Sequence, residues 1–173
     1  LVNPDAGPAL ADITVHAADG VQEVATLRGV AVPARGAMEF DLATVVPRRE
    51  DLSLRIQVTR GRLASSVLDR VEPLGGEVRA LAWLPPGAAP ETDALLLGVA
   101  RGGGDRRLVL SNEGEDETQV QVRIVTPESE FAPAGFEPVA VPPGATVTVA
   151  LGRLLGSEVA ASMVGLRIDA TAP

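Results

Sequence analysis

Residues 30–42, VAVPARGAMEFDL, are written a second time at residues 139–151 as VAVPPGATVTVAL. The repeat keeps its register from Asn3 to Leu42, because matching residues over this range lie 109 positions apart: Asn3 and Asn112, Val32 and Val141, Leu42 and Leu151. This spacing is close to the roughly 100 residues of an immunoglobulin-like sandwich. The sequence therefore predicts an internal duplication in which each copy folds as an all-β unit.

Period-two alternation of apolar and polar residues predicts matching strands in the two copies. Residues 11–17, ADITVHA, place His16 on the outer, polar face, and residues 120–124 repeat the same phase. Residues 52–59, LSLRIQVT, are partly repeated as LRIDAT at residues 166–171, and the second copy has three extra residues before this strand. An insertion at that point indicates a surface loop.

The connections between these strands also repeat. The segments LATVVP and LGRLLG, which begin at Leu42 and Leu151, predict single helical turns that are too short to be stable alone. The turns PARG and PPG place Gly36 and Gly144 one step apart in the aligned copies. We expect a different turn type in each copy, because the position of glycine is tied to the type of turn.

We predict two tandem immunoglobulin-like or fibronectin-like β-sandwiches, at residues 1–76 and 94–173, joined by a linker at residues 77–93. The first unit lacks a leading strand, because residues 94–100 have no counterpart before Leu1. The second unit lacks a final strand, because residues 62–68 have no counterpart before Pro173. Exposed sheet edges recruit further strands, so we expect a protein partner or self-association at these edges.

Charge and composition exclude several functional classes. The net charge of −8 repels nucleic acid and anionic lipid surfaces. The absence of cysteine removes disulfides, thiolate zinc sites and thiol nucleophiles. No run reaches the roughly 20 apolar residues that span a bilayer, so these residues are not expected to insert directly into a membrane. The chain begins at Leu1, and we expect any signal peptide or anchor to lie outside it.

Residues with catalytic or metal-binding chemistry are few and scattered. His16 is the single histidine, and we expect it to be exposed and without partners for catalysis or for a metal ion. Ser65 and Ser66 lie in a predicted strand without a nucleophile elbow or a base. The glycine run at residues 102–104 lacks the lysine and helix of a phosphate loop. We therefore expect no catalytic residues, no cofactor and no metal site.

Two polar features at turns are interpreted as structural. The acidic residues Glu113, Glu115, Asp116 and Glu117 could hold calcium, but their spacing is not that of a calcium loop, and a solvated hairpin tip is the preferred interpretation. The repeated Asn3 and Asn112 end strands before turns, where an asparagine side chain can bond the backbone two residues on. We expect both asparagines to be structural.

Aromatic residues make up only 2% of the chain, which limits ligand recognition. Trp83 stands beside a Pro-Pro-Gly turn and is predicted to pack at the junction between the two domains; stacking on a ligand is the alternative. Phe131 and Phe136, in the loop FAPAGFEP, are the candidate contacts for a sugar ligand. Folding back of both rings onto their own loop is an equally open interpretation.

Several of these motifs together resemble a known family. The run LVLSN with its acidic turn, the strand VQVRI, the VAVPPG turn and the segments WLPPG and LRIQVTRG are similar to an uncharacterised actinobacterial domain family. The resemblance implies repeated β-sandwich units with an Asn-Pro after the first strand, in secreted or membrane-anchored proteins. LVNP at the start of the chain matches this pattern, whereas Asn112 is followed by Glu113. The resemblance implies no activity.

The function predicted from the sequence is a non-catalytic, extracytoplasmic interaction or spacer module of the cell envelope. The first alternative is a glycan-binding module that uses Phe131 and Phe136. The lesser alternative is an accessory domain of an envelope enzyme, which would require a pocket with two or more converging titratable groups.

Overall fold

The computed structural model describes residues 1–46, 51–71, 80–87, 89–100, 106–155 and 162–173. The described chain is mostly β, which confirms the predicted all-β class. The strands are β1 (Ala9–Ala17), β2 (Gly20–Gln22), β3 (Val30–Val32), β4 (Ser53–Arg60), β5 (Val67–Val71), β6 (Ala80–Leu84), β7 (Asp93–Ala100), β8 (Arg107–Ser111), β9 (Thr118–Val125), β10 (Glu130–Phe131), β11 (Val139–Val141), β12 (Thr146–Ala150) and β13 (Met163–Ala170).

Helical structure among these residues is limited to single turns. The two α-helical turns are α1 (Leu42–Val45) and α2 (Leu151–Leu154), at the predicted positions, and a 3-10 turn spans Ala25–Leu27. The carboxylate of Asp41 caps α1 by accepting a hydrogen bond from the backbone N–H of Ala43 at 3.0 Å. Turns this short are not stable in isolation, so they depend on the strands beside them.

The chain divides into two compact units whose bounds differ from the two sequence copies. Unit 1 comprises Leu1–Thr14, Val24–Arg48 and Arg55–Ala89, and unit 2 comprises Val15–Glu23, Arg49–Leu54 and Pro90–Pro173. Two short segments of the first copy therefore belong to unit 2. The expected linker at residues 77–93 contains a strand, β6, which pairs antiparallel with β5. Pro and Gly flank this strand but do not interrupt it.

The strand pairings of β1 and β9 are the same. β2 and β3 pair antiparallel with opposite ends of β1, and β4 also pairs with β1. β10 and β11 pair in the same way with β9, and β13 also pairs with β9. Each register repeats at the 109-residue offset, since Ala9↔Val32 recurs as Thr118↔Val141 and Val15↔Gln22 recurs as Ile124↔Phe131. The repeat in the sequence thus has a counterpart in strand register.

The buried faces follow the predicted phase. In β1 the alternate residues Ala9, Ala11, Ile13 and Val15 are buried. In β9 the corresponding alternation buries Thr118, Val120, Val122 and Ile124. A larger set of buried apolar side chains forms the core around β9: Leu108, Leu110, Val120, Val122, Ile124, Val141, Val149, Leu151, Leu154, Leu155, Val164 and Leu166. Burial of these aliphatic groups is the main favourable term for folding.

Asn3 and Asn112 are buried and make equivalent hydrogen bonds, as their predicted structural role requires. Each Oδ1 accepts a backbone N–H two residues on, from Asp5 at 2.9 Å and from Gly114 at 2.8 Å. Each Nδ2 donates to the carbonyl four residues on and to the carbonyl of β3 or β11, at Val32 (3.1 Å) or Val141 (3.0 Å). Each asparagine thereby fastens a turn to a neighbouring strand.

The turns that contain Gly36 and Gly144 are the same, so the expected change of turn type is wrong. Arg35 occupies the position of Gly144, and both have positive φ, +50° and +67°. The following N–H donates to a proline carbonyl three residues back in each turn, from Gly36 at 3.1 Å and from Ala145 at 3.2 Å. A positive φ at the third residue is the mark of a type II turn. The first copy therefore adopts the same turn with Arg35 at a positive φ, a backbone conformation that is unfavourable for any residue with a side chain.

His16 is buried, which contradicts its predicted exposure. Its Nδ1 lies 2.9 Å from the carbonyl oxygen of Gly144, and its backbone carbonyl accepts a hydrogen bond from the Thr146 hydroxyl at 3.2 Å. Alternation along β1 predicts the face of the sheet on which a side chain lies. It does not predict whether another part of the chain packs over that face. Here the turn before β12 covers it, within unit 2.

Candidate interaction surface

The strands β4 and β13 match residue by residue. The sequence LRI at Leu54 recurs at Leu166, and the match extends to Thr59 and Thr171, an offset of 112 residues. The Thr59 hydroxyl donates to the carbonyl of Leu10 in β1, and the N–H of Thr171 donates to the carbonyl of Gln119 in β9. Leu10 and Gln119 are themselves a matched pair at offset 109. The two strands thus sit in the same place beside β1 and β9.

The second edge of β13 is paired, and the second edge of β4 is not, within the residues that the structure describes. β13 lies between β9 and β7 in one sheet. β4 pairs with β1, and none of the other described strands is placed on its far side. A strand at the edge of a sheet presents N–H and C=O groups that can accept another strand.

Burial differs accordingly between the matched residues. Leu166 is 0% exposed and Ile168 is half-buried against the core around β9. Leu54 is only half-buried, and from Gln57 onward every residue of β4 is exposed, including Val58. Three apolar residues of β4 alternate with polar ones, yet most of the strand remains accessible. This exposure marks the β4 edge as a candidate interaction surface.

The contact between β7 and β13 shows what a strand in this position provides. The N–H of Ala170 donates to the carbonyl of Thr92 at 2.7 Å, and Leu96 lies opposite Leu166. The Asp93 carboxylate accepts a hydrogen bond from Arg167 at 3.0 Å. Hydrogen bonds from the guanidinium to Glu130, at 3.2 Å, and to Asp93 raise the pKa of Arg167. Backbone, aliphatic and ionic contacts therefore combine along this pair of strands.

Exposed apolar side chains mark two further strands, each within its own unit. In unit 1, β6 exposes Leu81, Leu84 and Trp83, and Trp83 is 68% exposed opposite Leu68 of β5. In unit 2, β7 exposes three successive leucines, of which Leu97 is 75% exposed. Contiguous exposed apolar residues mark protein interaction sites more often than isolated ones. The predicted packing of Trp83 between domains stays a prediction.

Phe131 and Phe136 do not form a flat exposed platform. Both rings are partly buried and pack against the core around β9. Phe131 belongs to β10 and lies opposite Ile124, while Phe136 ends a turn in which its N–H donates to the carbonyl of Pro133 at 3.2 Å. The rings therefore contact the core around β9, and their role as contacts for a sugar stays a prediction.

A group of hydroxyls lies near His16 in unit 2. The Ser53 hydroxyl is 2.6 Å from that of Ser111 and 3.0 Å from that of Thr146. The imidazole contacts the Gly144 carbonyl through Nδ1, and its buried Nε2 has no hydrogen-bond partner among the described residues. A nucleophile needs a base within hydrogen-bond reach and a group that orients that base. In this group the described contacts of the ring run to the backbone, and no carboxylate orients it.

The remaining predicted features are placed as follows. Ser65 and Ser66 directly precede β5 and lie outside it. The acidic turn after Asn112 is held by that asparagine, and in the described part of the chain no cluster of acidic residues and histidine has the geometry to hold a metal ion. The glycine run at residues 102–104 falls outside the described residues. A cleft of about 100 Å³ in unit 2, next to Leu110 and Thr118, contains one titratable side chain, Glu91.

Comparison with known proteins identifies a family. A family model described as a family of unknown function (DUF5719) matches residues 1–173. No curated protein and no solved structure matches the chain. Within the described residues, no helix has the length and apolar character needed to cross a membrane.

Proposed function

Since the chain belongs to a family of unknown function (DUF5719), we propose a function from the molecule itself: a non-catalytic, extracytoplasmic module of the cell envelope that docks or spaces other proteins. The observation that carries the proposal is the exposed β4 edge, which leaves an aliphatic strand accessible where its counterpart β13 is covered by β7. Strand addition at such an edge is a common mode of protein recognition.

The fold proposed for this role is a pair of immunoglobulin-like or fibronectin-like sandwiches. The repeated register around β1 and β9 and the second pairing, of β8 with β12, are consistent with antiparallel sheets packed face to face. Val2 bridges Ala37 at positions that match Ser111 and Thr146 of the β8 and β12 pair. Sandwich modules present edges and loops to partners while the packed sheets stay rigid.

A non-catalytic role is supported by the way the reactive residues are used. The single histidine is engaged with backbone groups of unit 2, and the neighbouring hydroxyls bond one another. The acidic turn is tied to Asn112 through backbone contacts. The net charge of −8 favours a protein partner over nucleic acid.

Site-specific photocrosslinking in envelope fractions tests this function. A photoreactive residue placed at Leu97 or Leu81, both highly exposed, should give discrete crosslinked proteins. The matched control is the same residue placed at Glu137, an exposed position outside the strands. Equal crosslinking at all three positions, or none, would contradict a docking module. Recovery of the full-length protein from the cytoplasmic fraction would contradict the extracytoplasmic placement.

The glycan-binding alternative gains no specific support, because Phe131 and Phe136 are packed against the core. Sugar platforms expose the faces of aromatic rings, and aromatic side chains in this chain are few.

A further inference from the structure

We propose that the open edge of β4 binds an extended, largely aliphatic strand supplied from outside residues 1–173, antiparallel and in the register that β7 adopts on β13. This inference rests on the docking function proposed above and names its site and the chemistry of its ligand. The molecule contains its own template for the complex, because β13 is a copy of β4 with this position occupied.

The backbone of β4 has the polarity that such a ligand needs. In β13 the N–H of Ala170 faces β7, where it donates to Thr92, and the N–H of Thr171 faces β9. Backbone groups of a strand point alternately to its two sides. Thr59 matches Thr171, and its hydroxyl contacts β1; by this match we assign the N–H of Thr59 to the β1 side and the N–H of Val58, which matches Ala170, to the open side. The N–H groups of Ile56 and Leu54 face the same side by the same alternation.

The register of β7 on β13 indicates which side chains the ligand would place opposite each residue of β4. Leu96 lies opposite Leu166, Ala94 opposite Ile168, and Asp93 opposite Asp169. By the match of the two strands, the bound segment would place a leucine opposite Leu54 and an alanine opposite Ile56. Cross-strand aliphatic pairs of this kind stabilise sheets.

An acidic residue is the third element of the ligand. In the template, Asp93 ion-pairs with Arg167, and Arg55 is the matching arginine of β4. A carboxylate at the Asp93 position of the ligand would therefore lie next to Arg55 by the same match of the two strands. An exposed pair of this type contributes modestly to affinity, so the backbone and aliphatic contacts carry most of the binding.

The ligand is a polypeptide strand because the site consists of backbone donors and acceptors and aliphatic side chains. A sugar would need aromatic faces or a polar cluster, and a lipid surface would need a broad apolar or basic face. β-strand addition satisfies the open N–H and C=O groups directly and draws specificity from alternate side chains.

Binding of a synthetic peptide tests the proposal. The probe is a fluorescently labelled peptide of residues 91–100, ETDALLLGVA, titrated into the whole 173-residue chain. We expect saturable binding, detected by fluorescence anisotropy. In hydrogen-exchange NMR, the amides of Ile56 and Val58 should become protected, whereas the amide of Thr59 should not change. A peptide of the same composition with the leucines separated is the control for nonspecific apolar binding.

Val58→Pro is the decisive variant. Proline removes the N–H that faces the ligand, and edge strands tolerate proline because their outward N–H groups are unpaired. We expect the peptide to bind about tenfold more weakly or worse, a loss of about 1.4 kcal/mol or more. Val58→Thr retains the N–H and the β-branched shape, and should bind as the wild type does. Circular dichroism and exchange protection of β1 verify that both variants are folded.

The outcomes separate the proposal from its alternatives. Equal binding to wild type and to a folded Val58→Pro variant would overturn the β4 site, because the peptide would then bind elsewhere, for example by displacing β7. The β4 site is also overturned if no peptide binds while crosslinking at Leu97 still captures partners, and the docking function then stands. Failure of both experiments removes the function as well. Concentration-dependent dimers that Val58→Pro abolishes would support the site and identify the donor strand as β7 of a second copy.

Discussion

β4 and β13 share the sequence LRI and the same place in their sheets, yet most of β4 is exposed, whereas β13 is buried or half-buried over most of its length. The difference lies in their neighbours, because β13 is flanked by β9 and β7 whereas β4 pairs with β1. Leu166 is therefore fully buried and Leu54 is not. The same residues contribute differently to stability in the two places, which shows that the local pattern specifies a strand but leaves its burial open.

Truncation of the matched leucines should give the largest difference between the two strands. Leu166→Ala should lower the free energy of unfolding by about 2 to 5 kcal/mol, because it leaves a cavity in a closed core. Leu54→Ala should cost roughly 1 kcal/mol, because its side chain is only half removed from water. Urea denaturation followed by circular dichroism measures both changes. Equal losses would show that the β4 site is covered in solution.

Replacement of either buried asparagine should lower the stability of the protein, whereas only one of the two matched leucines is expected to have a large effect. Asn3→Ala and Asn112→Ala each remove a side-chain donor from a buried carbonyl group of the neighbouring strand, at an expected cost of about 1 to 3 kcal/mol. Asn3 donates to a third carbonyl, that of Pro33 at 3.0 Å, so its loss should be the larger. Urea denaturation of the two single variants compares them. A negligible effect of either would contradict its clamping role.

The matched turn positions predict smaller effects of opposite sign. Gly144→Ala should destabilise by about 1 to 2 kcal/mol, because a side chain disfavours positive φ. The added Cβ would also lie 3.0 Å from Cγ2 of Val21. Arg35→Gly relieves a strained residue at the equivalent position and should be neutral or stabilising by a few tenths of a kcal/mol, since glycine also adds disorder to the unfolded chain. Thermal unfolding of both variants checks the signs, and destabilisation by Arg35→Gly would refute the strain.

The smallest expected effect concerns an ion pair present in one turn only. Arg62 forms a charged hydrogen-bonded pair with Asp5 and lowers the pKa of that carboxyl, whereas the matching residue of the second copy is Gly114. A lowered folded pKa contributes stability above the unfolded value near 3.9, and this contribution is lost as the pH falls through the folded value.

Asp5→Asn should therefore lower stability slightly at pH 7, because the ion pair is exposed and screened. The gap to the wild type should close as the pH is lowered below about 4. Urea midpoints measured from pH 7 to pH 3 follow this gap. Arg62→Gln removes the other partner of the ion pair and should give the same dependence on pH. A difference in stability between wild type and Asp5→Asn that widens in acid would contradict the lowered pKa of Asp5.

Much of the fold was predictable because it depends on short-range patterns. The phase of β1 and β9, the helical turns after Leu42 and Leu151 and the turn role of the two asparagines all follow from residues within one or two turns of the chain. The strand β6 was missed because Pro and Gly around ALAWL favoured a linker. Its unbroken run of five apolar residues, Ala80–Leu84, is the signal that identifies a short strand.

The candidate site was predictable only in outline. The unmatched strands at the two ends of the repeat indicated open sheet edges, but no pattern in the sequence placed the open edge at β4. The burial of His16 and the packing of Phe131 and Phe136 were equally out of reach, because each depends on contacts with residues distant in sequence.

The sequence by itself determined the repeated strands, their inward and outward faces and the asparagine-held turns, since these depend on side-chain alternation and local hydrogen bonding. Only the tertiary structure decided which faces and edges are covered: His16 beneath the Gly144 turn, and β13 beside β7. The physical reason is that burial requires a second surface, and that surface comes from a part of the chain that local patterning does not specify.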